Sequence, residues 1–460
     1  MENRPRMSRF WTCSISTCSN AAAIDIGGCE HCTKNYCTEH AAHHGCSEAP
    51  LDDAAWKGAQ VRELQSLRAK INDEALMKRA SGLNQGMPCR LDETDFLGES
   101  RMGGMHIHLR LIFADHSAWL VRVLRQNYTS FDDGLSNDIF LSECATLKWL
   151  ETIDYPAPRL YDYGLRNDPS NSVGVAFMLI SEIPGNPLNQ LDTSEAQLSK
   201  VYSQLADLHI RLSKHSFDRI GSLTLDANGN ISIGPITGDR TGTLSYLGPF
   251  ANGREYYSAW SREYMRLIVD GQMFSQYPVN AYLIFKHLEQ LALDGKCNQF
   301  EAELDDGPFY LKHTDDKGDH IFVDDDYNIT GIIDWSFART VPMYEAFGPS
   351  LVTARMGDIF RGTTGLSEQD GYLSEALKAK RSRLARFAQS SDTARRFIFG
   401  LGMGMSMSGV EALGLFNGIL AALGEEPIAD WQKWRENAIS RCANDDKAAS
   451  TIRSLIQKEL

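Results

Sequence analysis

The sequence predicts an α+β protein in four parts: a small metal-stapled N-terminal module, a linker helix, a strand-rich lobe and a larger helical lobe. Three observations carry that expectation. Eight cysteine and histidine ligands crowd into thirty-four positions before residue 47. Short apolar or alternating runs concentrate between residues 89 and 184, whereas most of the chain beyond repeats its apolar residues at helical spacing. One acid-rich segment, residues 309–336, interrupts those helices with two short β-branched runs around a turn. The expected boundaries are residues 1–47, 48–88, 89–185 and 186–460.

A chain of 460 residues is long enough for two or three domains with a sizeable core. Its formal charge of -14 argues against a nucleic-acid-coating protein and against a polybasic membrane binder, and it suits a cationic substrate. No apolar run follows the polar, Arg-bearing residues 1–11, so no secretory signal is read and a cytoplasmic location is expected. Residues 397–423 carry a single charge, Glu411, yet their six glycines lower the hydrophobicity, and the expectation there is a buried helix pair rather than a membrane span. No membrane or nucleic-acid partner is expected.

The N-terminal ligands are Cys13, Cys18, Cys29, Cys32, Cys37, His40, His44 and Cys46, enough for two tetrahedral zinc sites. So short a segment buries too little apolar surface to fold alone, and thiolate and imidazole coordination supplies the missing folding energy. A disulfide framework is the competing reading. Both zinc sites look closed, hence structural. The ligand order resembles the AN-one-type zinc finger of stress-associated proteins, a cross-braced module. That resemblance implies one zinc on Cys13, Cys18, Cys37 and His40 and a second on Cys29, Cys32, His44 and Cys46. The Cys13 to Cys18 gap is longer than the family's and the His40 to His44 gap shorter, so His43 or His31 stands as an alternative ligand in the second site.

Ala54, Val61, Leu64, Leu67, Ile71 and Leu76 recur at near-helical spacing over residues 51–80, which predicts one amphipathic linker helix. Two glycines and Pro88 then break it. Residues 107–113 and 119–123 read as strands joined by a short polar turn, and residues 175–183 as another ending in Pro184 and Gly185. Helical patterns cover residues 198–212, where His209 is expected to be structural, and residues 251–293 and 373–460.

Within the acid-rich segment, residues 321–323 and 329–333 are the expected strands, and Asp324, Asp325, Asp326, Tyr327 and Asn328 the turn between them. The Asp324, Asp326, Asn328 spacing begins like a calcium loop, but Ile329 stands where that loop needs glycine, so a plain turn is expected. The hairpin brings Asp315 and His320, on the preceding loop, near Asp334 at its end. Three metal-binding or proton-accepting side chains then converge, as phosphoryl transfer requires.

These motifs resemble the aminoglycoside phosphotransferase family, with its two-lobed protein-kinase-like fold and many fungal relatives of unknown substrate. Members carry a His-Gly-Asp loop, an Asn five residues after the Asp, and an Ile-Ile-Asp-Trp motif; here stand His313-Thr314-Asp315 and Ile332-Ile333-Asp334-Trp335. The resemblance implies that Asp315 is the catalytic base and that Asp334 holds the metal bridging the phosphates of ATP. His320 fills the Asn slot, and imidazole suits Mn better than Mg. Lys317 sits where serine/threonine kinases steady the transferring phosphate. Gly98, Ser100 and Gly103 lie where the family covers the phosphates, Arg122 replaces the phosphate-pairing lysine, and Glu143 is its helix partner. Backbone groups of Ser181 to Ile183 would meet adenine.

The function so implied is ATP-dependent transfer of the γ-phosphoryl group to a hydroxyl of a small molecule, with Mg or Mn and two zinc ions. Two other readings stand beside it. Arg122 and His320 depart from the usual set, as in a pseudokinase that binds nucleotide without turnover. Alternatively the finger recruits a protein partner and the body is a scaffold.

Overall fold

The computed structural model describes residues 13–20, 22–23, 29, 32, 34–46, 53–92, 105–125, 131, 133–226, 228–238, 246–296, 302–316, 318–363, 365–390, 392–397 and 408–459. Two lobes carry the architecture. The first is a five-stranded antiparallel sheet, β1 (Cys89–Asp92), β2 (His106–Phe113), β3 (Ala118–Leu124), β4 (Leu160–Gly164) and β5 (Phe177–Ser181), in the order β1-β2-β3-β5-β4. Side-chain alternation decides what each face meets. Ile107, Leu109 and Leu111 of β2, Val121 and Val123 of β3, and Phe177 and Leu179 of β5 form one core with Leu64, Leu67, Leu76 and Ala80 of the preceding helices. Met178 and Ile180, on the opposite face of β5, pack into the main core with Phe140, Cys144 and Leu147. Because β5 is covered on both sides, it reads as an unbroken apolar run.

The single linker helix expected from periodicity is two helices, α2 (Asp53–Arg68) and α3 (Asp73–Leu83), after a one-turn α1 (Thr38–Ala41) in the N-terminal module. Asn72 makes the break. Its side chain caps α3 by accepting from the Ala75 amide at 3.1 Å, and its own amide donates to the Val173 carbonyl at 2.9 Å. An N-cap Asn followed by Asp73 and Glu74 is a start signal that outweighs continuing periodicity. Arg79 pairs with Asp162 of β4, and Glu63 with Arg125 at 2.7 Å, so both helices are fastened to the sheet.

Helix α4 (Asp133–Thr152) crosses the other face of the sheet. Its position is set from the second lobe as well: the hairpin of β7 (Ser222–Leu225) and β8 (Ile231–Gly234) packs on it, and Tyr246 donates to Asp138 at 2.8 Å. Between the lobes runs a short connector in which Gly185 has φ +96°. A Cβ there would lie 2.2 Å from the Val323 carbonyl oxygen, so only glycine fits.

The second lobe is mostly helical, with α5 (Glu195–Leu212), α6 (Gly253–Val269), α7 (Pro278–Leu293) and further helices at Glu368–Ala379, Gly409–Ala422, Trp431–Arg441 and Asp446–Glu459. Two small sheets sit among them. One joins β6 (Asn186–Pro187) to the hairpin of β10 (Ile321–Val323) and β11 (Ile329–Ile332); the other pairs β9 (Phe309–Lys312) with β12 (Arg339–Pro342). The turn inside the hairpin is structural, as expected: the Asp324 carboxylate accepts from the amides of Asp326 and Asn328 at 3.0 and 2.8 Å. Of the helix pair expected over residues 397–423, Gly409–Ala422 is described, and residues 398–407 lie outside the described residues. Among the described residues, no helix is long and apolar enough to cross a membrane.

Candidate active site

The loop between β9 and β10 is fastened by its histidines. His313 Nε2 lies 2.9 Å from the Ile333 carbonyl, which can only accept, so Nε2 carries the proton and Nδ1 is left to accept from the Asp315 amide at 3.3 Å. His320 Nδ1 lies 2.6 Å from the Asp315 carbonyl and must donate. The Ile333 amide closes the ring by donating to the His320 carbonyl at 3.0 Å. Burial, and then the nearby His320, pushes the His313 pKa below its ordinary value, so the ring stays neutral in these roles.

Asp334 follows β11 in a left-handed conformation, φ +61°, a costly backbone for a non-glycine and one that clusters at functional sites. Its Oδ1 accepts from Arg122 Nη2 at 2.6 Å, while Oδ2 faces His320 Nε2 at 3.7 Å. Asp334 is 38% exposed and so open to a ligand, whereas Arg122 is 7% exposed and Glu143 1%. Burial works against a charged carboxylate, but the Arg122 guanidinium outweighs it and holds Asp334 well below the usual range.

Arg122 points to the α4 side because it sits out of phase with Val121 and Val123. Its Nη1 donates to Glu143 at 2.6 Å, so the two residues paired on sequence grounds do meet, in a buried bond rather than on the surface. Its Nη2 also reaches His106 Nδ1 at 3.0 Å and Ser336 Oγ at 3.3 Å, and Ser336 donates to the other Glu143 oxygen at 2.8 Å. A guanidinium has no acceptor, so His106 must accept through Nδ1. Burial first and Arg122 second drive its pKa well below the ordinary value. Neither His106 nor Ser336 was legible as a site residue. His106 joins only through the β2–β3 register, and Ser336 carried no signal beyond following the motif.

Asp315 does not join His320 and Asp334 as a third ligand. Among the described residues, groups of three or more His, Cys, Asp or Glu donors lying within 4.8 Å of one another occur only in the N-terminal module. The expected convergence is therefore a pair of donors with Asp315 placed beside it through its main chain. Ser181 also departs from expectation: its amide and its Oγ are both spent on the Arg159 backbone at 2.9 Å, inside the sheet. The next residue, Glu182, pairs with Arg110 at 2.8 Å. Gly98, Ser100, Gly103 and Lys317 lie outside the described residues. His209 lines a cavity of about 40 Å³ behind the loop with His313, Asp316 and His320, a space on the scale of a water rather than a nucleotide.

The chain from residue 138 to residue 385, more than half its length and including both loop motifs, matches the phosphotransferase enzyme family, APH. This chain belongs to that family. Its kinase-like phosphotransferase fold, a sheet lobe and a helical lobe, is the one described above. Solved structures similar to this phosphotransferase include a thermostable mutant of an aminoglycoside phosphotransferase (14% identity, 83% of this chain and 99% of that one, TM-score 0.40). Others are a macrolide 2'-phosphotransferase from Brachybacterium faecium (16%, 79% and 97%, 0.40) and an ethanolamine kinase from Plasmodium vivax (12%, 76% and 83%, 0.40). No curated protein matches the chain.

In the N-terminal module two groups of four ligands converge, Cys13, Cys18, Cys37 and His40, and Cys29, Cys32, His44 and Cys46. Cys18 and Cys37 sulfurs stand 3.9 Å apart, as do those of Cys29 and Cys46, far beyond a disulfide. The disulfide reading is thereby excluded for these pairs. His44 takes the place for which His43 was the alternative; His31 lies outside the described residues. Its Nδ1 donates toward the His40 and Ala41 carbonyls at 3.2 and 3.1 Å, which leaves Nε2 facing Cys29 at 3.2 Å.

Proposed function

We propose that this phosphotransferase moves the γ-phosphoryl group of ATP to a hydroxyl of a small molecule. The observation that carries the reading is the bonded chain from Glu143 through Arg122 to Asp334, which faces His320 Nε2 across 3.7 Å, with His320 in turn bonded to the main chain of Asp315. It joins the strand lobe, which would hold the phosphates, to the loop that would hold the acceptor. In this reading Asp315 takes the proton as the acceptor oxygen bonds to the γ-phosphorus. The bond from that phosphorus to the β-phosphate oxygen breaks, and ADP leaves. Gly98, Ser100 and Gly103 would cover the phosphates, Glu182 and Ile183 would meet adenine, and Lys317 would steady the transferring group.

The donor set fits a divalent ion. With Nδ1–H committed to the Asp315 carbonyl, Nε2 is the His320 nitrogen left to face Asp334 Oδ2, at 3.7 Å. An imidazole nitrogen and a carboxylate oxygen facing a common space are both donor types that a divalent ion accepts. Bound there, the ion would neutralise charge on the phosphates. An imidazole in this role favours Mn over Mg. A screen with γ-labelled ATP against pooled metabolites tests the activity. Transfer of label to a small molecule is the expected result, and metal-dependent nucleotide binding with no transfer to any acceptor would favour the pseudokinase reading instead.

We also propose that residues 1–47 form a double zinc finger. Zinc–sulfur bonds of about 2.3 Å in a tetrahedron separate sulfurs by about 3.8 Å, close to the 3.9 Å of both cysteine pairs. Metal analysis of the purified protein should give about two zinc ions per chain, and Cys37→Ser about one. One or none in the wild type would remove the paired-site reading.

A further inference from the structure

The four groups around Arg122 leave the metal-binding carboxylate only half available. We infer that Arg122 acts as a built-in cation on one side of Asp334, so that the nucleotide site holds a single divalent ion, between Asp334 Oδ2 and His320 Nε2. The inference rests on the nucleotide-binding reading above and deepens it. Kinase sites of this kind use two ions, one on the Asp of the metal motif and one shared with the loop Asn.

Three observations point to the replacement. Asp334 Oδ1 already accepts a charge-assisted bond of 2.6 Å from Arg122 Nη2. The guanidinium is anchored rather than free to swing away, since Glu143 accepts from Nη1 at 2.6 Å, His106 and Ser336 lie 3.0 and 3.3 Å from the same Nη2 that meets Asp334, and it is 7% exposed. A planar, delocalised cation suits this forked role, which the ammonium of a lysine does not fill. A second divalent ion would have to share Oδ1 with that fixed charge and be repelled by it.

Charge and donor count agree. Glu143 and Asp334 bring two negative charges, Arg122 one positive, and His106 accepts as a neutral ring. The remaining negative charge lies on the His320 side. There a single nitrogen, Nε2, stands in place of the Asn side chain, because Nδ1 is committed to the Asp315 carbonyl. The residues that depart from the family, Arg122 and His320, thus act together. One supplies a fixed cation, and the other supplies a ligand for the one ion that remains.

The test counts Mn bound to full-length, zinc-loaded protein at saturating non-hydrolysable ATP analogue, by electron paramagnetic resonance, after subtracting the count without nucleotide. One Mn per bound nucleotide is the expected result. Two would overturn the inference while leaving nucleotide binding intact. No nucleotide-dependent Mn would remove the nucleotide-binding reading and the inference with it. Arg122→Lys should raise the count from one to two, and a folded, nucleotide-binding Arg122→Lys that still holds one Mn overturns the assignment to Arg122. Should that variant not fold, the wild-type count alone decides.

Discussion

Asp315→Ala should bind nucleotide as the wild type does and lose roughly two to four orders of magnitude in turnover, the scale set by a positioned general base. The loop should survive the change. Its fastenings run through the Asp315 amide and carbonyl, to His313 and His320, and the substitution keeps both groups. The alternative to a chemical role is that the carboxylate only shapes the loop, and Asp315→Asn separates the two. Asparagine preserves shape and polarity but cannot take a proton, so it should be nearly as slow as alanine. Steady-state rates beside a nucleotide titration make the measurement. Equal turnover in wild type and Asp315→Ala would end the enzymatic reading.

The second large effect belongs to Asp334, and there binding rather than rate should fail. Asp334→Ala should weaken metal-dependent nucleotide binding by at least about 100-fold, beyond what loss of an outer-shell partner costs a metal site. It also removes one of the two carboxylates that Arg122 holds, the other being Glu143. Breaking a fully buried pair costs about 3–5 kcal/mol, but at 38% exposure Asp334 is well short of full burial and the stability loss should be smaller. Calorimetric titration with nucleotide and Mn, run beside thermal denaturation, tells the two effects apart. Unchanged affinity in a folded Asp334→Ala would place the metal elsewhere.

Much of the fold was legible because its signals are local. Alternation wrote β2 and β3 into the sequence, turn-forming residues marked the Asp324 to Asn328 turn, and helical periodicity marked α5 and the α6–α7 region. The two sets of cysteines and histidines that the zinc-finger resemblance implied are the two that lie together at the N-terminus. Two local signals were overridden or overlooked. Periodicity carried the linker helix through Asn72, although a capping Asn followed by two acids already marked a new start. The strand before the connector was given Ile183, whereas β5 ends at Ser181.

What the sequence by itself determined is the set of candidate groups: Asp315 and Asp334 in motif order, His320 in the Asn slot, and an arginine and a glutamate that could pair. What only the tertiary structure decided is how they share charge. His106 meets Arg122 because antiparallel register sets β2 beside β3, and Ser336 meets Glu143 across 193 residues because the lobes close on α4. Asp334 meets Arg122, and Asp315, His320 and Asp334 do not bring three ligand atoms within 4.8 Å of one another. Residue type and spacing encode which groups are present. Which of two carboxylate oxygens a guanidinium occupies depends on distances of a few ångströms between elements far apart in the chain, and those are set only when both faces of the sheet are packed.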